Sequence, residues 1–234
     1  DRKGRVFIGD FGNNLNDRKN LTIYIIPDPS WAVSNEIMAD KIIFTYSDQN
    51  DYPPIISERN FDMEAFFWYK DSLYLFSKNR TDPFDGYTKL YVLPDKAGQY
   101  VANFKDSLFL ACDNMELNWI TAVDISQDDS KIALLSSNKM WILSDFQNDS
   151  FFKGTITAFL FSTMTQKEGL AFIDNDRLLI SDERNFNIGG NLYIVDMFKA
   201  LNENKKLLRL KAKAISGVHN KQIEIFRLLS PHKN

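Results

Sequence analysis

Apolar and polar residues alternate in short runs through most of the chain, and Asp, Asn, Gly and Ser clusters break the runs. Short apolar runs bounded by turn formers are the pattern of strands, and no long helix pattern competes. Four stretches repeat one order: polar turn, apolar run, polar loop, second apolar run. Residues 1–28 read DRKG-RVFIGD-FGNNLNDRKN-LTIYIIPD, and residues 70–95 read KDS-LYLFSK-NRTDPFDGYT-KLYVLPD. Residues 127–145 read QDDS-KIALLSS-N-KMWILSD, and residues 174–196 read DND-RLLISD-ERNFNIGG-NLYIVD. Every second run closes on Asp.

Further apolar runs flank these stretches. MEAFFWY (63–69), ITAVDIS (120–126) and EGLAFI (168–173) precede three of the turns. KIIFTYS (41–47), QYVANF (99–104), TITAFLFS (155–162) and LLRLKAKAI (207–215) follow the second runs. Four antiparallel strands per unit, repeated, predict an all-β fold: a β-propeller of four-stranded blades. A β-sandwich is the alternative, but it does not account for the recurring strand-Asp ending. The reading is one propeller domain over 1–234, with four blades visible and five or six expected in the full protein. The first blade lacks its innermost strand, which belongs before Asp1. A chain opening on Asp is read as part of a longer protein. QIEIFRLL (222–229) is a further strand, expected to pair with the incomplete first blade or with a blade upstream. Residues 30–40 predict a short helix, and Trp31, Trp68, Trp119 and Trp141 are expected in the core.

The repeat places the polar loops. The loops between second and third strands, and the starts of the innermost strands, fall on one face. Asp10, Asn13, Asn14, Asp62, Glu64, Lys78, Arg80, Lys167, Glu168, Asp182, Glu183 and Arg184 are therefore expected around one mouth. Loops on a rigid scaffold commonly carry function. Asn and Asp oxygens suit Ca²⁺, which takes six to eight oxygen ligands. Lys78, Arg80, Lys167 and Arg184 suit an anion. The same residues also suit turns whose side chains bond their own backbone.

Composition removes several classes. The 234 residues are 44% hydrophobic and 14% aromatic, enough for a sizeable core. The net charge of −3 offers no global field for nucleic acid. No run reaches the ~20 apolar residues of a membrane-spanning helix. Cys112 is the one cysteine, read as a small buried residue, and His219 and His232 are the two histidines. Multi-cysteine metal sites and histidine-based triads are thereby disfavoured. Lys199, Lys205, Lys206, Arg209, Lys211 and Lys213 read as a solvated strand edge.

DMEAFFWYKDSLYLFSKN followed by KLYVL, and EGLAFIDNDRLLISDERN followed by NLYIV, resemble the Asp-x-Glu-Gly blade motif of β-propeller phytases. They are also similar to the phytase-like and SdiA-regulated propellers of bacterial envelopes. Ala65 stands at the motif's Gly, and Lys167 precedes Glu168. The resemblance implies a propeller that is periplasmic, outer-membrane-associated or secreted. It implies Asp62, Glu64 and Glu168 as Ca²⁺ ligands. Three functions are compatible. One is a non-enzymatic binding or assembly module. It would present Asp10, Asn13, Asn14, Lys78, Arg80, Asp182, Glu183 and Arg184 to another envelope protein or membrane-protein complex. Exposed loop aromatics such as Phe84, Tyr87 and Phe186 suit such contact. The second is a calcium-dependent phosphoesterase, with Lys78 and Arg184 clamping phosphate. The third is a propeller that binds a sugar or anion without turnover.

Overall fold

The structure, a computed structural model, describes residues 1–32, 36–111, 113–197 and the backbone of 223–228. It is all-β, built from antiparallel meanders, and it divides into two compact units, Asp1–Met115 and Glu116–Asn234. Each is described by itself.

In the first unit, β1 (Val6–Asp10), β2 (Leu21–Ile26) and β3 (Asp40–Tyr46) form one meander. β4 (Asp62–Tyr69), β5 (Ser72–Lys78), β6 (Tyr87–Pro94) and β7 (Gly98–Phe109) form the next. β7 serves both. Its first half runs parallel to β3, from Ile42 opposite Gly98 to Tyr46 opposite Ala102. Its second half runs antiparallel to β6, and the register shifts between Leu90 and Tyr91. The two meanders thus join in one seven-stranded sheet ordered β1-β2-β3-β7-β6-β5-β4.

The second unit also holds two antiparallel meanders, but in separate five-stranded and three-stranded sheets. β8 (Ala122–Ile125), β9 (Lys131–Leu135), β10 (Lys139–Ser144) and β11 (Thr155–Phe161) form a meander. β12 (Lys167–Phe172), β13 (Arg177–Asp182) and β14 (Leu192–Asp196) form another. β15 (Ile223–Leu228) pairs parallel with β11, at the outer edge of the unit's first meander, where β7 lies on β3. This corrects the expected partner of 222–229, which was the first blade or one upstream. A parallel contact between distant segments is set by tertiary geometry and leaves no local mark.

The recurrence extends to single residue pairs. Ile8 faces Tyr24, Leu75 faces Tyr91, Leu134 faces Trp141 and Ile180 faces Tyr193. Two residues earlier, Val6 faces Ile26, Leu73 faces Leu93, Ile132 faces Leu143 and Leu178 faces Val195. Aliphatic–aromatic and aliphatic pairs opposite one another stabilise sheets, and here they fix the same register four times. A one-residue slip would turn every such side chain to the other face.

Each unit has its own core between its two meanders. In the first, Leu21, Ile23, Ile42 and Phe44 pack with Met63, Leu73, Leu75, Tyr91 and Leu93. In the second, Ala133, Leu135, Met140 and Ile142 pack with Leu178 and Ile180. Trp141 is buried and Trp68 and Trp119 are half-buried, but Trp31 is 79% exposed. It ends a single 3-10 turn, Pro29–Trp31, where a short helix was expected; Pro29 starts the turn and Asp28 caps it through the Ser30 amide at 2.9 Å. Cys112, both histidines, 207–215 and the basic cluster from Lys199 to Lys213 lie outside the described residues.

Candidate functional site

β4 brings Asp62 and Glu64 to the loop end of the first unit. The register between β4 and β5 shifts between Met63 and Ala65, so Glu64 is the extra residue of a β-bulge. β12 shifts in the same way between Lys167 and Gly169, so Glu168 is the bulged residue there. Both matched glutamates therefore share one backbone position. Asp62 corresponds to Gln166.

Asp62 is fully buried and its carboxylate is fully engaged. Oδ1 accepts the Asn13 amide at 2.6 Å, and Oδ2 accepts Arg80 Nε at 2.9 Å, with Arg80 Nη2 also at 2.9 Å. Arg80 Nη2 also donates to Asn14 Oδ1 at 2.5 Å. Asp62 thus ties β4 to the IGDFGNNLN loop and to the loop after β5. Asn13 Oδ1 accepts the amides of Asp17 and Arg18, both at 3.0 Å, and Asn16 Oδ1 accepts the Phe61 amide at 2.8 Å. The loop is a set of side-chain-to-backbone turns. Asp10 pairs with Arg18 at 3.0 Å, and Lys78 Nζ donates to Glu64 Oε2 at 2.6 Å.

The second unit keeps the frame and changes the chemistry. Asn185 Nδ2 donates to Gln166 Oε1 at 2.8 Å, as Arg80 does to Asp62, so a neutral amide pair replaces the ion pair. Lys78 follows Ser77, which is opposite Met63; Glu183 follows Asp182, which is opposite Lys167. Glu183 is therefore the counterpart of Lys78, and an exposed Glu168–Glu183 set stands where the first unit has an ion pair. Arg184 is exposed and its Nε reaches the Phe186 carbonyl at 3.4 Å. Phe186 itself is 93% exposed, whereas Phe84 and Tyr87 are half-buried.

Lys167 and Asp182 turn inward rather than towards solvent. Lys167 Nζ donates to the carbonyls of Ser137 and Thr163, both at 3.0 Å, and to Thr165 Oγ1 at 2.8 Å. Burial lowers its pKa against the opposing pull of Asp182. Asp182 accepts the Asn191 amide at 2.6 Å and the Tyr193 hydroxyl at 2.9 Å. Burial opposes its charge, but these bonds prevail and its pKa is lowered. Ser77 performs the same service for the Lys89 amide at 2.8 Å.

Sequence reasoning missed a second polar cluster at the turn end of the first unit. Lys3, Arg5, Asp71, Asp95 and Lys96 line an open cavity of about 510 Å³. Buried Asp95 accepts Trp68 Nε1 at 2.8 Å and pairs with Arg5. The strand-Asp ending was its one visible signal, and only Asp95 of the four ending residues is buried. Among the described residues no group of three or more His, Cys, Asp or Glu is arranged to hold a metal ion. No described helix is long and apolar enough to cross a membrane.

No family model and no curated protein matches the chain. Among solved structures, a GH43 β-1,3-galactosidase is 15% identical with a TM-score of 0.47, covering 83% of this chain and 43% of that one. A 6-phosphogluconolactonase, so described, from Bacteroides uniformis is 13% identical with a TM-score of 0.37, covering 83% and 54%. Hsv2p of Kluyveromyces lactis is 10% identical with a TM-score of 0.36, covering 84% and 52%. The chain spans about half the length of these proteins.

Proposed function

We propose that the chain supplies four-stranded blades to a β-propeller that serves as a binding or assembly module of a bacterial cell envelope. Its polar loops would meet another envelope protein or a membrane-protein complex. The carrying observation is that the carboxylates of the phytase-like motif in the first unit are already held by basic side chains: Asp62 by Arg80 and Glu64 by Lys78. Calcium at Asp62 would have to displace a guanidinium and a backbone amide from a buried group. Removing one partner of such a buried pair leaves the other charge uncompensated. The alternative, a calcium-dependent phosphoesterase, needs those oxygens free for metal.

Thermal unfolding of the chain at fixed concentration, with Ca²⁺ and with chelator, separates the two. A ion bound only to the folded state raises stability by mass action. The binding-module reading expects coincident transitions and no phosphate release from a model phosphomonoester. A midpoint that climbs with Ca²⁺, joined to calcium-dependent phosphate release, overturns it.

A further inference from the structure

We infer that the hairpin tip between β13 and β14 is a protein-docking device. Phe186 is the anchor that enters an apolar socket on the partner, and Glu168 and Glu183 meet basic side chains at the rim of that socket. This names the kind of partner for the binding-module reading above and rests on it. Exposure is the first observation. Phe186 is 93% exposed and Ile188 65%. The corresponding loop of the first unit, between β5 and β6, keeps Phe84 half-buried, and the IGDFGNNLN loop buries Phe11. The backbone is the second. Phe186 has a φ of 52°, and the other described non-glycine residues with positive φ are Asn, Asp and Lys70. A bulky side chain is uncommon there, because its Cβ crowds the backbone. Asn187, the next residue, would suit the position better. Such strain persists where the surroundings over-determine it, and they do so here. Asn185 and Ile188 exchange backbone hydrogen bonds at 2.8 and 3.0 Å, and Asn185 Nδ2 ties the turn to Gln166 at 2.8 Å. The returning chain passes so close to Glu183 that a Cβ at Gly189 would meet its carbonyl oxygen. An aromatic side chain held on a fixed turn loses little freedom on binding, and such anchors carry much of the energy of an interface.

Charge selects the partner. Glu183 opens the loop and Glu168 is the bulged residue of the neighbouring β12, and both are exposed. In the first unit Lys78 neutralises Glu64. Here Glu183 takes the place of that lysine, so two carboxylates stand at the base of the hairpin with Arg184, a net charge of −1 (−2 from Glu168 and Glu183, +1 from Arg184). An anionic lipid surface repels such a tip, since it attracts basic segments. A protein socket bordered by Lys or Arg attracts it, and the complementary charge fixes the orientation in which Phe186 enters.

The test is photochemical. Phe186→p-benzoylphenylalanine is made in the full protein, in the cells that produce it, with the same replacement at the exposed Lys96 as the control. The change keeps an aromatic group at an exposed site, and Ile188 is the second site for the group if the first variant fails to fold. Irradiation should join position 186 to one protein, at an apolar segment beside Lys or Arg as read by mass spectrometry of the joined peptide, and position 96 should not join it. Adding Glu183→Lys, which pairs with Glu168 and cancels the acidic rim, should cut the yield about tenfold. Attachment to lipid, attachment to a second copy of this chain, or no attachment from 186 and 188 overturns the inference. So does the same attachment from position 96, or a yield that Glu183→Lys leaves unchanged. Failure here removes the docking role of Phe186 alone, whereas the binding-module reading falls only to calcium-dependent stabilisation with phosphate release.

Discussion

Asp62 is the residue on which the loop end of the first unit turns. Its two oxygens hold Asn13, Arg80 and, through Arg80, Asn14. Asp62→Ala strands Arg80 and an amide together, and should cost about 3–5 kcal/mol in urea unfolding, the range for breaking a buried pair. Tyr46 lies at the opposite extreme. It is buried, its hydroxyl has no hydrogen-bond partner, and burial, then the charges of Asp62 and Asp48, raises its pKa well above the ordinary value. Tyr91 is raised too, by burial first and then by Asp48, to which its hydroxyl donates at 2.8 Å. Both phenols stay protonated in the folded state when the unfolded chain, near pH ~10, releases its protons. Their contribution is intact below that pH and is lost as pH rises above it. Tyr46→Phe should therefore be neutral or stabilising by up to ~2 kcal/mol at pH 7, since it removes an unsatisfied buried group. It should also flatten the fall of the urea midpoint between about pH 10 and 11. A loss of stability at pH 7 would show that the hydroxyl has a partner.

Among the elements, strands were legible where a short apolar run is bounded by turn formers, and β2, β5, β6, β10 and β13 fall on such runs. The bulge was half-legible. Asp-Met-Glu-Ala and Lys-Glu-Gly were matched as letters, but only the pairing shows that Glu64 and Glu168 are the inserted residues. The inward turn of Lys167 and Asp182 was not legible, because a charged residue at a strand end reads the same whether it faces solvent or ties the next strand. The repeat also gives a graft. Glu183 occupies the position of Lys78, so Glu183→Lys should pair with Glu168 as Lys78 pairs with Glu64. The gain expected for so exposed a pair is about 0.2–1 kcal/mol, and it should shrink in high salt. Thermal melts at two ionic strengths check it; no gain at low salt would mean the two bulges do not present their glutamates alike.

At the scale of the whole molecule the repeat is a repeat of packing faces. Sequence periodicity showed that each meander has apolar faces, but not that β7 divides itself between two meanders or that β15 joins β11. Those contacts connect segments far apart in the chain, and neither strand's own pattern names its partner. The division has a mechanical consequence within the first unit. β7 welds the outer edge of both meanders into one sheet, while Leu73, Leu75, Tyr91 and Leu93 join their faces. Edge and face together make β2, β3, β5 and β6 one cooperative block. Leu75→Ala removes a fully buried side chain at the middle of that block, and should cost about 2–5 kcal/mol. Its effect should not stay local. Hydrogen exchange should quicken in β2 and β3 as well as in β5 and β6, because regions that open together lose protection together. Faster exchange confined to β5 would mean that the two meanders are stitched at the β7 edge alone and that their faces contribute little.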